Sequence, residues 1–509
     1  MLNSYKKYAA ALLIVLMGLI SCNKFDAINS DPNTPTEASA SLLCTSAILS
    51  VARFNGRDAK AYITENALAK YVGYANEGQL AEQYNLLGSG SFSAMTILPD
   101  LEKMLNYAKG EPMENSYKGV AAFVKAYMFF QLTMQMGDIP CSEANGGING
   151  EFQPKYDTQK QVFITILDDL KSADSCFSQG TPFTGDPTPY KGDPVKWRAA
   201  TNSFALKVLM TLSKKVTDSD LNIKSRFKSI VDAGYLLKST NEYFGLQYST
   251  KNKHPLSGTN DLFTSRTILS SLLVDNLKLL NDRRLFYYGD PAGAQIAGGL
   301  SENSMNAYVG VDVSMDYASM NAGHSANKYS LINSRYLKEE ASEPRMLITY
   351  GEQELILAEA RVLGWISTSE AKTYYENGVK SALEELMSTN PSYAHNMAIT
   401  QEYIDHYFTG EAAFKTTPSD QLKQIWMQRY IREFMKDGLS SYFEYRRNKY
   451  PVFPINPATS LNANDVNAIP MRWLYPSTET DYNRTNLIEA LNRQFDGYDE
   501  INKMMWLLK

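Results

Sequence analysis

The chain has 509 residues, of which 44% are hydrophobic, so it is long enough to bury a large core. Its formal net charge is −5, and loss of Lys6 and Lys7 with a leader would make the mature chain more acidic. Proteins that bind nucleic acid through its phosphates present a basic face, so this composition argues against a nucleic-acid partner.

The first residues have the order typical of an exported bacterial lipoprotein. Lys6 and Lys7 precede an apolar run at 9–20, which is shorter than the ~20 residues of a membrane span. The run ends in LISC, similar to a lipobox, whose cysteine is Cys22. A single acyl chain binds a protein to a membrane only weakly, whereas a bacterial lipoprotein cysteine carries several. We therefore predict that Cys22 is lipidated and that it attaches the protein stably to the membrane. The alternative is an ordinary signal peptide with a chance cysteine.

These features predict the organisation of the chain. We expect a signal peptide at 1–21, a lipidated tether at 22–35 and a single domain at 36–509. The tether is polar and turn-rich, so it cannot bury much apolar surface.

Cysteines and histidines do not predict a metal centre. Apart from Cys22, the odd set Cys44, Cys141 and Cys176 suggests neither a disulfide framework nor a zinc site, and buried small hydrophobes are the better interpretation. The four histidines lack metal-ligand spacing. We therefore expect no metal and no cofactor.

Helical periodicity dominates the chain. From Tyr117, apolar residues recur at the spacing of one helix face. Asp157 is predicted to cap the next helix, and Asp193-Pro194 to open another as N-cap and first-turn proline. Two further helices are predicted within 347–386, the second opened by a capping box at Ser367 and Glu370.

Two later stretches differ in composition. Residues 289–330 are rich in Gly, Ser, Asn and Asp with isolated tyrosines, and a loop of that length is usually functional or disordered. The tail from Asn448 is rich in Pro, Asn and aromatics, so we expect an ordered wrap over the helices.

Motifs of catalysis are not found. The chain has no GxSxG, Walker A or dinucleotide fingerprint. The adjacent carboxylates Asp168-Asp169 and Glu384-Glu385 lie on predicted helices and do not face each other across a bond as glycosidase pairs do. Solvated helix faces are the expected explanation, and no catalytic residue is predicted.

Six ordered blocks resemble the SusD/RagB family of nutrient-binding outer-membrane lipoproteins, in the branch with an Asn-x-Asp-Pro-Asn motif, here at 29–33. The blocks lie at 121–144, 154–173, 190–215, 347–383, 424–451 and 469–483. Departures from the family pattern occur at Arg283 in Asp-Arg-Arg, where proline is usual, at Cys141 and at Asn448.

The resemblance implies a mostly α-helical fold of four tetratricopeptide-like helix pairs with an irregular part packed on them. It implies a protein at the cell exterior that binds oligosaccharide or another nutrient and passes it to a SusC-like, TonB-dependent outer-membrane transporter. Arg446 and Arg447 are expected to tie the C-terminal wrap to the helices, and Trp197 and Trp365 to lie in the core.

Ligand contacts are expected from aromatic-bearing loops, because the family's binding sites lie in the irregular part. An aromatic ring stacked on a ligand contributes a modest binding energy, so a site built from a few rings can bind its ligand and still release it. The candidates are Tyr71, Tyr74, Tyr84, Tyr308 and Tyr317.

Two other functions stay open from the sequence. A helical glycoside hydrolase would need two converging carboxylates in a cleft. A tetratricopeptide-type scaffold would bind a protein partner in a concave groove and no small ligand.

Overall fold

A computed structural model describes residues 39–54, 59–75, 78–258 and 265–509. The predicted signal peptide, the tether and Cys22 lie outside the described residues. The described part is mostly helical with a few short strands, which confirms the predicted fold class.

The amino-terminal helices bury apolar stripes against one another. They are α1 (Ala40–Ala52), α2 (Ala59–Leu68), α3 (Leu98–Ala108), α4 (Glu114–Met136), α5 (Gln159–Ser178), α6 (Pro194–Thr211) and α7 (Ile223–Ala233). The stripe predicted from Tyr117 is buried in α4, as Val120, Val124 and Leu132 illustrate. Helix α4 packs along α5, and α5 along α6.

The start of α5 differs from the prediction. The carboxylate of Asp157 accepts hydrogen bonds from the N–H groups of Cys141 and Ser142, at 3.0 and 2.7 Å, and so fastens the preceding turn. Thr158 is the N-cap instead, and it forms a capping box with Gln161.

Of two other predicted helix starts, one is confirmed and one is wrong. Asp193 caps α6 through its side chain, with Pro194 in the first turn, as predicted. The capping box at Ser367 and Glu370 is wrong, since Glu370 is the N-cap of the later helix and makes no side-chain cap bond.

Four short strands form two antiparallel pairs in the described chain. They are β1 (Val72–Tyr74), β2 (Tyr243–Leu246), β3 (Thr267–Leu269) and β4 (Arg345–Thr349). Strand β1 pairs with β3, placing Val72 opposite Leu269, and β2 pairs with β4. These pairs join distant parts of the chain beside the helices.

Residues 289–330, called the insertion below, are more regular than predicted. The region around them contains α8 (Ser271–Leu279), α9 (Arg284–Tyr288), α10 (Gly293–Ala297), α11 (Tyr317–Ser325) and α12 (Arg335–Lys338). Asp316 caps α11 by accepting from the N–H of Ser319. The insertion is therefore a long connection that contains two short helices, α10 and α11, of which α11 has a side-chain cap.

The carboxyl-terminal half completes the helical body. Its helices are α13 (Tyr350–Val362), α14 (Ala371–Met387), α15 (Gln401–Asp405), α16 (Pro418–Arg432), α17 (Gly438–Asn448), α18 (Ser477–Tyr482) and α19 (Arg484–Phe495). Helix α13 packs along α14 and also against α16. A Cβ placed on Gly378 of α14 would lie 2.7 Å from Leu355 Cγ, so the two helices need glycine at this contact.

The tail from Asn448 wraps over the helices as predicted. Arg446 donates to the backbone oxygens of Met471 and Met134, both at 2.6 Å, and thereby joins the tail to α4. Arg447 lies in an ion-pair network with Glu359 and not against the tail, so the expectation for it is only half right.

The core is continuous along the described chain, from Leu43 to Leu508, and includes Trp197 and Trp365 as predicted. Cys44 and Cys141 are buried, while Cys176 is partly exposed. Within the described residues, no helix combines the length and apolarity of a membrane span, and no cluster of three potential metal ligands occurs.

Candidate functional site

Tyr71, proposed as a ligand contact, belongs to the interior. It is fully buried, and its ring stacks on that of Tyr430 with centroids 4.3 Å apart. Its hydroxyl donates to the backbone oxygen of Tyr430 and lies 2.6 Å from Ser441 Oγ. In this arrangement Tyr71 offers no ring face to a ligand and instead holds α16 and α17 beside β1.

Tyr308 is also buried, at the base of the insertion. Its ring meets Phe286 edge to face at 5.1 Å, and its hydroxyl donates to Glu302 O at 3.0 Å. His395 lies on its other side, with ring centroids 6.1 Å apart. Tyr308 therefore fixes the insertion to α9 and, as placed, does not reach the surface with its ring.

The structure brings the other three candidates into one neighbourhood. Tyr84 is buried, and its hydroxyl donates to Met315 O at 2.9 Å. The hydroxyl of Tyr317, which is partly exposed, accepts from the N–H of Gly78 at 3.1 Å. Both bonds join the insertion to the chain that follows β1.

Gln83 completes this connection. Its side-chain oxygen accepts from the N–H of Tyr74 at 3.0 Å, and its amide nitrogen donates to Val313 O at 3.0 Å. Below it lies a small apolar cluster, consisting of Ala75, Ile268, Val311, Val313 and Met320. Tyr74 and Tyr84 are thus positioning residues, and of the five tyrosines Tyr317 is the one that keeps an exposed edge.

We call Asp312, Asp316 and Tyr317 the tyrosine rim. Both aspartates are exposed and the tyrosine is partly exposed. Burial, together with the nearby Asp316, Tyr317 and Asp312, raises the pKa of Tyr84 to about 12, so this hydroxyl stays protonated as a donor. A partly exposed ring accompanied by exposed carboxylates suits a ligand with hydroxyl groups.

A second candidate surface is a cleft of about 460 Å³, called the aromatic cleft. Its walls are mainly apolar, from Phe92, Met95 and Ile148, with the carboxylate of Glu479 at one end. Tyr156 donates to Glu479 at 2.8 Å and fixes that carboxylate in place. Apolar walls with a few polar groups are the usual make-up of small-molecule sites.

Two exposed rings lie beside this cleft. Phe152 is 77% exposed, and a Cβ placed on Gly147 would lie 3.8 Å from its ring, while Tyr482 is 73% exposed. Gln153 donates to Tyr482 O at 3.0 Å, so the two segments that carry the rings are joined. Sequence reasoning missed both rings, although Phe152 interrupts a stretch of Gly, Asn and Glu, where an aromatic residue has little core to join.

The carboxylate pairs set aside in the sequence have structural partners. Asp169 pairs with Lys125 at 3.2 Å, and Glu385 pairs with Arg432 at 2.9 Å and with Lys436. Glu385 is buried, so the expected solvated helix face is wrong for this residue. Pairing with cations on neighbouring helices explains these carboxylates without catalysis.

The fold and these surfaces define a class, a helical binding protein that presents ring-bearing surfaces on a packed scaffold. The sequence model of a family described as "Starch-binding associating with outer membrane", SusD-like, matches residues 32–476. The chain belongs to this SusD-like family. Its members are binding proteins and not enzymes, which confirms the corresponding prediction.

Solved structures agree with this assignment. A SusD homologue from Bacteroides fragilis is 38% identical with a TM-score of 0.88, and the match covers 93% of this chain and 100% of that chain. A second from the same species is 31% identical with a TM-score of 0.81 over the same shares. A chitin-binding protein is 21% identical with a TM-score of 0.70, covers 92% of this chain and 99% of its own, and shares the fold. A comparison with curated proteins finds no match.

Proposed function

We propose that this protein is a lipid-anchored receptor at the cell exterior that binds an oligosaccharide and delivers it to a SusC-like, TonB-dependent outer-membrane transporter. The family match over residues 32–476 is the observation that carries the proposal. The family description names starch binding and outer-membrane association, and a neighbour of the same fold is a chitin-binding protein.

The anchor is proposed at Cys22, with cleavage of 1–21 and a tether of 22–35 before the single domain 36–509. Replacing Cys22 with alanine removes the thiol that accepts the diacylglycerol. We expect Cys22→Ala to fold normally but to leave the membrane fraction, as measured by fractionation and immunoblotting. Full membrane retention of the variant would contradict the anchor.

The ligand is proposed to lie on the tyrosine rim, held by Tyr317 and the carboxylates beside it, with Tyr74 and Tyr84 as support. Edge contact and a few hydrogen bonds suit micromolar to millimolar capture, because each ring contributes only ~0.5–1.5 kcal/mol beyond its buried area. A receptor that passes its cargo onward benefits from such release.

A glycan array followed by calorimetry tests this site, with Cys22→Ala protein as the soluble form. We expect Tyr317→Ala to weaken binding about tenfold, with only a small fall in melting temperature from loss of the hydrogen bond to Gly78. Tyr482→Ala is the matched control, since its exposed ring is carried by α18, the helix whose Glu479 lines the aromatic cleft. Loss of binding in Tyr482→Ala alone would move the site to the cleft.

A further inference from the structure

A cavity of about 280 Å³ lies inside the scaffold where α1, α2, α4, β4 and α17 meet. Phe54 and Tyr127 supply aromatic walls, and Gln131 supplies an amide. Its charged lining groups are Arg345, Glu65, Asp437 and, at the exposed edge, Arg53. Ser91 and Ser93 face this cavity, whereas Phe92 and Met95 line the aromatic cleft, so the same segment borders two separate spaces.

Arg345 is the unusual member of this lining. Its Nε and Nη1 are buried and have no hydrogen-bond partner, and it forms no ion pair within the described residues. Its guanidinium carbon lies 5.4 Å from the ring centre of Phe54. Buried donors without acceptors are costly, so this guanidinium is prepared for an acceptor from outside the chain.

A neighbouring arginine shows how this fold treats a structural guanidinium. Arg335 donates to Tyr287 O at 3.1 Å, to Ser342 O at 2.8 Å and to Glu343 at 2.5 Å. Nearly all of its donor capacity is used. Arg345 has the same kind of side chain and is less deeply buried, yet its buried Nε and Nη1 donate no hydrogen bond.

The carboxylates of the cavity keep Arg345 charged without bonding to it. Burial alone would lower the pKa of Arg345, but Glu65 and Asp437 raise it. In turn, burial raises the pKa of Glu65 to about 7, with Arg345 opposing and Asp437 adding to the shift. Near neutral pH the cavity can therefore accept one anion while Glu65 takes up a proton.

We propose that this cavity binds a single hydroxylated ring that carries one carboxylate, such as a sugar acid, with the carboxylate against Arg345. Its hydroxyl groups would meet Glu65, Asp437 and Gln131, which provide acceptors and a donor. The volume is near the lower end of ligand pockets, which suits one ring and not a chain of them. The residues that line this cavity do not include those of the tyrosine rim, so the two sites are separate.

Calorimetry of the Cys22→Ala protein with D-glucuronate and D-glucose tests the proposal. We expect glucuronate to bind at least about tenfold more tightly than glucose, because only the acid satisfies the guanidinium. Arg345→Gln should weaken glucuronate binding roughly 10- to 100-fold. Its melting temperature should fall only slightly, since the variant loses the attraction to Glu65 and Asp437 but no hydrogen bond within the protein. Arg226→Gln, at an exposed ion pair, is the matched control and should change nothing.

A substitution of Glu65 should change the affinity for glucuronate in the opposite direction. Glu65→Gln removes a negative charge from the cavity and should tighten glucuronate binding several-fold. In the unmodified cavity, binding should tighten as pH falls through about 7, because Glu65 becomes neutral while the ligand carboxyl, titrating at about 4, stays ionised. The titratable groups that interact with Glu65 are Arg345, Asp437, Tyr62 and Tyr248.

Equal affinity for glucose and glucuronate, unchanged affinity in Arg345→Gln, or no binding of either probe would each overturn the proposal. Binding of neutral oligosaccharides at the tyrosine rim would be unaffected by any of these results, so the two proposals fail separately.

Discussion

Buried arginines hold the centre of this scaffold through carboxylates. Glu359 is fully buried between Arg447, at 2.7 and 3.0 Å, and Arg429, at 3.3 Å. Glu444 accepts from both arginines, at 2.6 and 2.7 Å. Burial would raise the pKa of Glu444, but Arg429 and Arg447 lower it to about 2, so this carboxylate stays ionised.

Removal of one partner from this network should be severe. Arg447→Met leaves two buried carboxylates with a single cation, and we expect it to lower the free energy of unfolding by about 3–5 kcal/mol. The exposed pair Arg226–Asp168 is the comparison, and Arg226→Met should cost less than about 1 kcal/mol. Urea unfolding of both variants measures these free energies. Equal losses in the two variants would contradict the importance of the buried network.

At the scale of elements, the contact between α13 and α14 depends on small residues. A Cβ on Gly378 would meet Leu355 Cγ at 2.7 Å and Gly351 O at 2.9 Å. Gly378→Val should therefore lower the free energy of unfolding by about 2 kcal/mol or more. Gly88→Val, where nothing lies within 4 Å, should change it by less than about 0.5 kcal/mol.

The insertion has a pH-dependent connection to the helices. His395 lies 3.1 Å from Asp290 and 3.3 Å from Glu302, both in the insertion, and its ring also faces Tyr308. Burial lowers the pKa of His395, but the hydrogen bonds to Asp290 and Glu302 outweigh it and raise the pKa overall.

A raised histidine pKa stabilises the folded insertion while the ring is protonated. The stabilisation is complete below the ordinary value of about 6.5 and is lost as pH rises through the higher folded value. Hydrogen exchange of residues around Glu302 should therefore speed up more with pH than the chemical rate alone predicts. His395→Gln should abolish this excess, and an excess that persists would contradict the connection.

Sequence patterns predicted the elements better than the site, for physical reasons. The stripe of α4 and the cap at Asp193 are local features, so periodicity and capping chemistry were sufficient. Tyr71 and Tyr317 have the same side chain, but Tyr71 packs against Tyr430 of α16 and Tyr317 contacts Gly78, and both partners are far away along the chain. The partner of Asp157 lies sixteen residues away, which no local rule identifies.

On the scale of the whole molecule, five buried carboxyl groups fall into two sets whose pKa values are shifted in opposite directions. Burial raises the pKa of Glu65 and Glu433 to about 7, and that of Asp138 to about 6. Burial would also raise those of Glu385 and Glu444, but their cationic partners lower both to about 2. The pH of maximum stability follows from the balance of the two sets.

The first set favours the protonated folded state, so stability falls as pH rises from about 4, where unfolded carboxyls ionise, to about 7. The second set stabilises the fold above about 4, and that contribution is lost as pH falls toward 2. We therefore expect urea unfolding to give greatest stability near pH 4–5, higher than at pH 7.5 by on the order of a few kcal/mol. Glu65→Gln should flatten the upper side of this profile and Glu385→Gln the lower side, because each removes one titrating group. A maximum at pH 7 or above would contradict the burial of these carboxyls.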